Sequence, residues 1–234
     1  MKRPDGFRGP SLVLLAIVHI LLFVANLVAV AVLRHGGSPY VNPYATGEVI
    51  SRFFAQNPRA VQIGSFLLFS SAIPFGIFAA TAVARLRFLR VRAAGTNIAL
   101  FGGFAAAGAL ALSGLFGWVT SLPEVYTSAG LARGIYFLSF LFGGAGYAVA
   151  FGLMAAGISV TSYFTRLLPG WLAGFGLFIA FAGAFSSLSL VTYPANYLIP
   201  ITRYLGFIWL MLAAVKLSRI RRPQQASLVT EAAA

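Results

Sequence analysis

The chain contains no cysteine, which removes disulfides, thiolate metal sites and cysteine nucleophiles from consideration. Acidic residues are almost as scarce. The only four are Asp5, Glu48, Glu124 and Glu231, and none falls within a long apolar run. An ion-coupled pump usually needs a carboxylate inside the membrane, so that class is disfavoured. Histidine occurs twice, as His19 and His35. His35 stands at or beyond a helix end, so one chain cannot supply a bis-histidine haem pair or a histidine-rich metal site. No phosphate-binding glycine loop is present, because the glycine runs lie in apolar stretches. The sequence therefore implies no cofactor and no metal.

What the chain has in abundance is apolar length. Hydrophobic residues make up 59% of its 234 positions, and charged residues only 9%. A water-soluble domain could not cover its surface with that balance. A helix needs about 20 apolar residues to cross a bilayer. Residues 11–33, 60–84, 96–120, 134–158, 170–192 and 200–217 satisfy this, and predict an all-α polytopic membrane protein with six helices in one bundle over residues 1–222. Residues 223–234 open with Pro223 and read as a disordered tail. The first apolar run is longer than the core of a secretory signal and is read as a retained helix.

Seventeen lysines and arginines give a net charge of +13. Topology accounts for this without nucleic acid. With both ends in the cytoplasm, the inner segments hold Lys2, Arg3, Arg8, Arg85, Arg87, Arg90, Arg92, Arg166, Lys216, Arg219, Arg221 and Arg222. The outer segments hold Arg34, Arg52, Arg59, Arg133 and Arg203. The positive-inside rule thus favours N-in and C-in. Between the first two spans, Asn42-Pro43 resembles a helix start, with Val49, Ile50, Phe53 and Phe54 on one face and Asn57-Pro58 as the stop. A short amphipathic helix on the outer membrane surface is expected there, as a cover or a lid.

Small residues at four-residue steps suggest how the helices pack, since close backbone approach drives association in lipid. The fourth span has Gly144, Ala148, Gly152 and Ala156, read as an intramolecular seam or a homodimer face. The second has Gly76, Ala80 and Ala84, the third Gly103, Ala107 and Ala111, and the fifth Gly170 and Gly174. Trp118 and Trp171 suit interfacial anchoring, whereas Trp209 is deep enough for the core.

Two sets of residues stand out as candidate sites. His19 and Asn26 share a face of the first span, and Pro74 interrupts backbone bonding in the second. They form either an intramembrane polar site or interhelical hydrogen-bonding contacts. Arg59, Arg133 and Arg203 each stand at the outer start of an even-numbered span, against both the helix dipole and the charge rule. Convergence would create a site for an anionic headgroup or substrate; otherwise each reaches separately to lipid phosphate. Leu112-Ser113-Gly114 with His19 has part of the pattern of an intramembrane serine protease, but Ala111 stands where a glycine is needed.

From about Leu131 to Leu217 the chain resembles a family of small bacterial integral membrane proteins with a domain of unknown function. The resemblance is carried by Arg166-Leu-Leu-Pro-Gly-Trp-Leu-Ala-Gly174, Asn196-Tyr-Leu-Ile-Pro200 and Gly206-Phe-Ile-Trp-Leu-Met-Leu212. It implies six helices and a bacterial inner membrane, and carries over no catalytic residues. The chain departs from the family pattern in having Tyr204-Leu205 where that pattern would have an acidic residue before the last helix. The function expected is a lipid- or partner-binding, regulatory membrane component with an outer basic site. A small transporter, or transporter subunit, for an anionic or apolar solute is the alternative. An intramembrane enzyme ranks third. Membrane lipids, a membrane-protein partner or a second copy are the expected partners.

Overall fold

The structure, a computed structural model, describes residues 7, 9–35 and 40–220. Six helices are long and apolar enough to cross a membrane: Leu12–Leu33, Pro58–Phe88, Ala94–Val119, Ala129–Phe164, Gly170–Leu190 and Tyr193–Arg219. No strand occurs among the described residues. The elements in chain order are α1 (Leu12–Leu33), α2 (Gly47–Gln56), α3 (Pro58–Phe88), α4 (Ala94–Val119), α5 (Pro123–Tyr126), α6 (Ala129–Leu141), α7 (Tyr147–Phe164), α8 (Gly170–Phe185) and α9 (Leu198–Arg219). A π-helical turn, Phe142–Gly146, joins α6 to α7 in one continuous span. One of these helices overlaps each of the six apolar runs read from the sequence, and those over the second, fourth and sixth runs extend beyond the runs. Lys2, Arg3, Arg8, Arg221, Arg222 and residues 223–234 lie outside the described residues.

The spans form a ring in chain order, with α9 returning to close against α1. Glycine sets the spacing. In α7 a Cβ at Gly157 would lie 2.5 Å from the Gly95 carbonyl oxygen and 2.6 Å from the Ala99 nitrogen. On the opposite side of the same span, a Cβ at Gly152 would meet the Ala180 carbonyl oxygen at 3.1 Å and the Gly183 Cα at 3.2 Å. The Gly144-to-Ala156 steps thus include an intramolecular seam. The Gly170 and Gly174 step differs from expectation: a Cβ at either meets nothing within 4 Å, and α8 uses Gly176 and Gly183 for close packing. Inside the ring Phe75, Phe151 and Trp209 bring α3, α7 and α9 together, with ring centroids 5.8 Å and 6.4 Å apart. Trp209 is buried, whereas Trp118 and Trp171 are exposed.

The two ends of the ring differ. At one, Arg85 in the last turn of α3 is buried, and donates from Nε to the Leu217 carbonyl (3.2 Å) and from Nη2 to that of Ile220. Its guanidinium also lies over the rings of Phe7 (5.1 Å) and Phe88 (5.3 Å). One cation therefore caps the carbonyl end of α9 and gathers both described chain ends at the same face. Arg85→Ala is expected to fray the last turn of α9, raising amide exchange at Leu217–Ile220 about tenfold while leaving α1 unchanged. Protection equal to that of the parent protein would show that the cap contributes nothing.

At the other end, α2 packs its Ile50, Phe53 and Phe54 face against Val41, Val61, Ala132 and Tyr136. This apolar face is turned into protein, and Val49 is left exposed. The helix starts at Gly47, later than Asn42-Pro43 suggested. Asn42 instead closes a turn, its Oδ1 accepting from the Tyr44 amide at 2.9 Å. Asn57 separates α2 from α3 by bonding both ways, to the Phe53 carbonyl (2.9 Å) and from the His35 amide (2.8 Å).

Candidate functional site

A half-open cavity of about 320 Å³ lies within the ring at the α2 end. Every span except that of α8 contributes to its wall. Its construction starts at the π turn. Phe142-Gly-Gly-Ala-Gly146 carries two consecutive glycines inside a 36-residue span. A π turn widens the helix by one residue and loosens the carbonyl ladder, a distortion common at functional sites. Here the Gly143 carbonyl accepts a hydrogen bond from Arg203 Nη2. One turn earlier, α4 and α6 are cross-linked by a reciprocal serine pair. Ser113 Oγ donates to the Ser139 carbonyl, and Ser139 Oγ to the Ser113 carbonyl, each at 2.8 Å.

Arg203 is the charged centre of this cavity. It enters from the second turn of α9, and its guanidinium sits between two aromatic rings, Phe23 (5.0 Å) and Tyr147 (4.9 Å). Cation–π contact offsets part of the cost of removing a cation from water. Its Nε is buried without a hydrogen-bond partner. No acidic residue is among the described residues that line the cavity. Asn26 and Arg34 of the α1 span side line it too, with Tyr136, Ser65 and Thr120 as further polar groups. The remaining wall is mostly apolar, from Leu27, Val30, Val61, Leu68, Phe140 and Ile199. The arrangement can hold one negative charge at Arg203 with an apolar portion beside it.

The sequence candidates divide accordingly. Arg203 and Asn26 come together at the cavity, whereas Arg59 and Arg133 are exposed and line no part of it. His19 and the Pro74 region form a second group, deeper in the ring. Pro74 lacks an N–H, which loosens the preceding turn of α3. In that turn the Ser71 carbonyl accepts from His19 Nδ1 at 2.9 Å. The imidazole is enclosed by Phe75 (4.9 Å between centroids) and Phe207 (5.4 Å). Its Nε2 and the nearby Tyr147 hydroxyl have no partner. Ser113 and His19 do not form a dyad, because their hydrogen bonds run to Ser139 and Ser71 respectively. Among the described residues, no three of His, Cys, Asp and Glu group closely enough to hold a metal.

Sequence reasoning missed Arg34, Ser139, Tyr136 and the π turn. The one sequence feature at the π turn was the Gly143-Gly144 pair inside the fourth apolar run; the 36-residue length of that helix is a property of the structure. Compared with known proteins, the chain matches no family model, no curated protein and no solved structure.

Proposed function

We propose that this protein is a membrane component that binds the anionic headgroup of a lipid in the Arg203 cavity, at the outer face of a bacterial inner membrane. The observation that carries the reading is the buried Nε of Arg203, unpartnered beside a cavity with no acid among its described lining residues. A buried cation without a counter-charge is costly, and an incoming anion with oxygen acceptors relieves that cost. The arginine distribution along the sequence supports a cytoplasmic Arg85 end and an outer α2 end.

The test is native mass spectrometry of protein released gently from lipid. Arg203→Gln is expected to lower retention of anionic lipid about tenfold or more, the scale of a charge-assisted hydrogen bond. Arg59→Ala and Arg133→Ala are expected to change it less than about twofold, as exposed cations contribute little. Equal losses in all three variants would remove the cavity as the site.

A second reading, transport of an anionic or apolar solute, draws on the unpartnered His19 Nε2 and Tyr147 hydroxyl, whose rings both pack on Phe75, that of Tyr147 lying 4.9 Å from the Arg203 guanidinium. These polar groups extend the charged region toward the middle of the ring. Transport requires proteoliposomes to take up the bound anion faster than empty vesicles, with the excess removed by His19→Leu. Binding without uptake leaves only the first reading.

A further inference from the structure

The cavity has walls of unequal exposure, and the difference bears on how a ligand reaches it. We infer that the Arg203 cavity is filled sideways from the bilayer, through a portal between the second half of α1 and the start of α9, by a glycerophospholipid whose acyl chains stay in the membrane. The inference rests on the headgroup-binding reading above and names the ligand class and its route.

Three observations carry it. First, nearly all residues lining the cavity are buried or half-buried; the exposed ones are Leu27 and Ala31 on α1, and Tyr40 just beyond it. The opening therefore runs along α1. On its α3 side α1 is closely packed, since a Cβ at Gly64 would lie 2.9 Å from Asn26 Oδ1. The free edge must then face α9, whose Ile199 and Arg203 complete the wall. Lower down, Phe23 and Phe207 shut the same interface with their rings 5.1 Å apart. The portal thus has a floor and sits in one leaflet.

Second, the end of the bundle above the cavity is tied across. Tyr136 donates to the Val41 carbonyl at 2.8 Å. Asn196 Nδ2 donates to the Tyr44 hydroxyl at 3.1 Å, and the Tyr44 ring packs on Phe137, Phe140 and Tyr193 with centroids 5.3, 5.9 and 5.1 Å away. These contacts link the segment before α2, the α6 helix and the turn before α9 over the site. A ligand from water would have to part them; one from the bilayer would not.

Third, about 320 Å³ is at the lower end of the range for small-molecule sites, roughly 300–1,000 Å³. It takes a phosphate and a glycerol, and leaves two acyl chains outside. The portal is the place where those chains would emerge into lipid of matching polarity.

The experiment measures retention of dioleoyl phosphatidylglycerol by native mass spectrometry, with and without excess glycerol 3-phosphate as the water-soluble form of the same head. Four proteins are compared: the parent, Arg203→Gln, and the portal variants Ala31→Trp and Leu27→Trp. Ala31 is exposed, so tryptophan narrows the portal without entering the core; Leu27→Trp, one turn deeper, repeats the block, and a melting curve confirms that each variant is folded. The expected result is loss of about tenfold in both the Arg203 and portal variants, with no competition by glycerol 3-phosphate. Retention unchanged in both portal variants, with glycerol 3-phosphate competing, means filling from water; the lateral route is then wrong while the Arg203 site stands. Retention unaffected by Arg203→Gln overturns the binding reading itself, and the portal with it.

Discussion

Gly157→Leu is expected to lower the stability of the purified protein by about 3 kcal/mol, a large fraction of what holds a domain folded. The reason is geometric. At Gly157 the α7 backbone approaches α4 so closely that even one methyl carbon would press on the Gly95 carbonyl and the Ala99 amide. Backbone atoms of a helix cannot rotate away as a side chain can, so the two spans must separate. Separation forfeits dispersion contacts along the α4–α7 interface, and in lipid no hydrophobic gain compensates for them. Gly174→Leu is the matched control, because nothing lies within 4 Å of its Cβ position. Melting curves in detergent should separate the two variants widely. Coincident curves would mean that α4 and α7 are not in such close contact.

Trp209→Ala should be the most damaging truncation in the interior, at about 3–5 kcal/mol. Trp209 is fully buried, and its indole Nε1 donates to the Leu172 carbonyl at 3.1 Å, joining α9 to α8. Gly176 makes room for that ring, since a Cβ there would lie 2.5 Å from the same nitrogen. Alanine would leave a void bounded by Phe151 and the two helices, and lipid chains cannot enter to fill it. Trp209→Phe retains most of the volume and loses the hydrogen bond, so about 1 kcal/mol is expected. Thermal melts of the three proteins should fall in that order. Equal melting of the alanine and phenylalanine variants would show that the hydrogen bond, and not the packing, is what Trp209 contributes.

The elements that were legible in the sequence are those with a long-range signature. Apolar runs identify the spans because each must be about as long as the hydrocarbon is thick. Trp209 could be assigned to the interior from its depth within a run, and the Gly152 seam from four-residue spacing. The Gly170 and Gly174 step has the same spacing and packs against nothing, because spacing does not say which face meets a neighbour. The arginines illustrate the same limit. Arg59, Arg133 and Arg203 have similar positions in their spans, but only Arg203 points into the ring. Arg34, which had no distinguishing neighbour in sequence, lines the cavity because α1 closes against α9 and α3. Those are facts of helix rotation and order, and both depend on contacts far apart along the chain. The start of α2 was misplaced for a local reason: Asn42 is equally suited to capping a helix or a turn, and took the turn.

The π turn at Phe142–Gly146 has a consequence for how one span can serve two purposes. Each residue of an α-helix advances the azimuth by about 100°. One residue more in a single turn offsets everything before it from everything after it by about that angle. Tyr136, Ser139 and Phe140 can therefore point at the cavity while the residues from Ala148 onward keep their own phase for α4 and α8. The cavity wall and the packing seam are held out of register with each other across a turn that contains a pair of adjacent glycines. Chain length at that point, more than the identity of any side chain, is what selection would have to preserve.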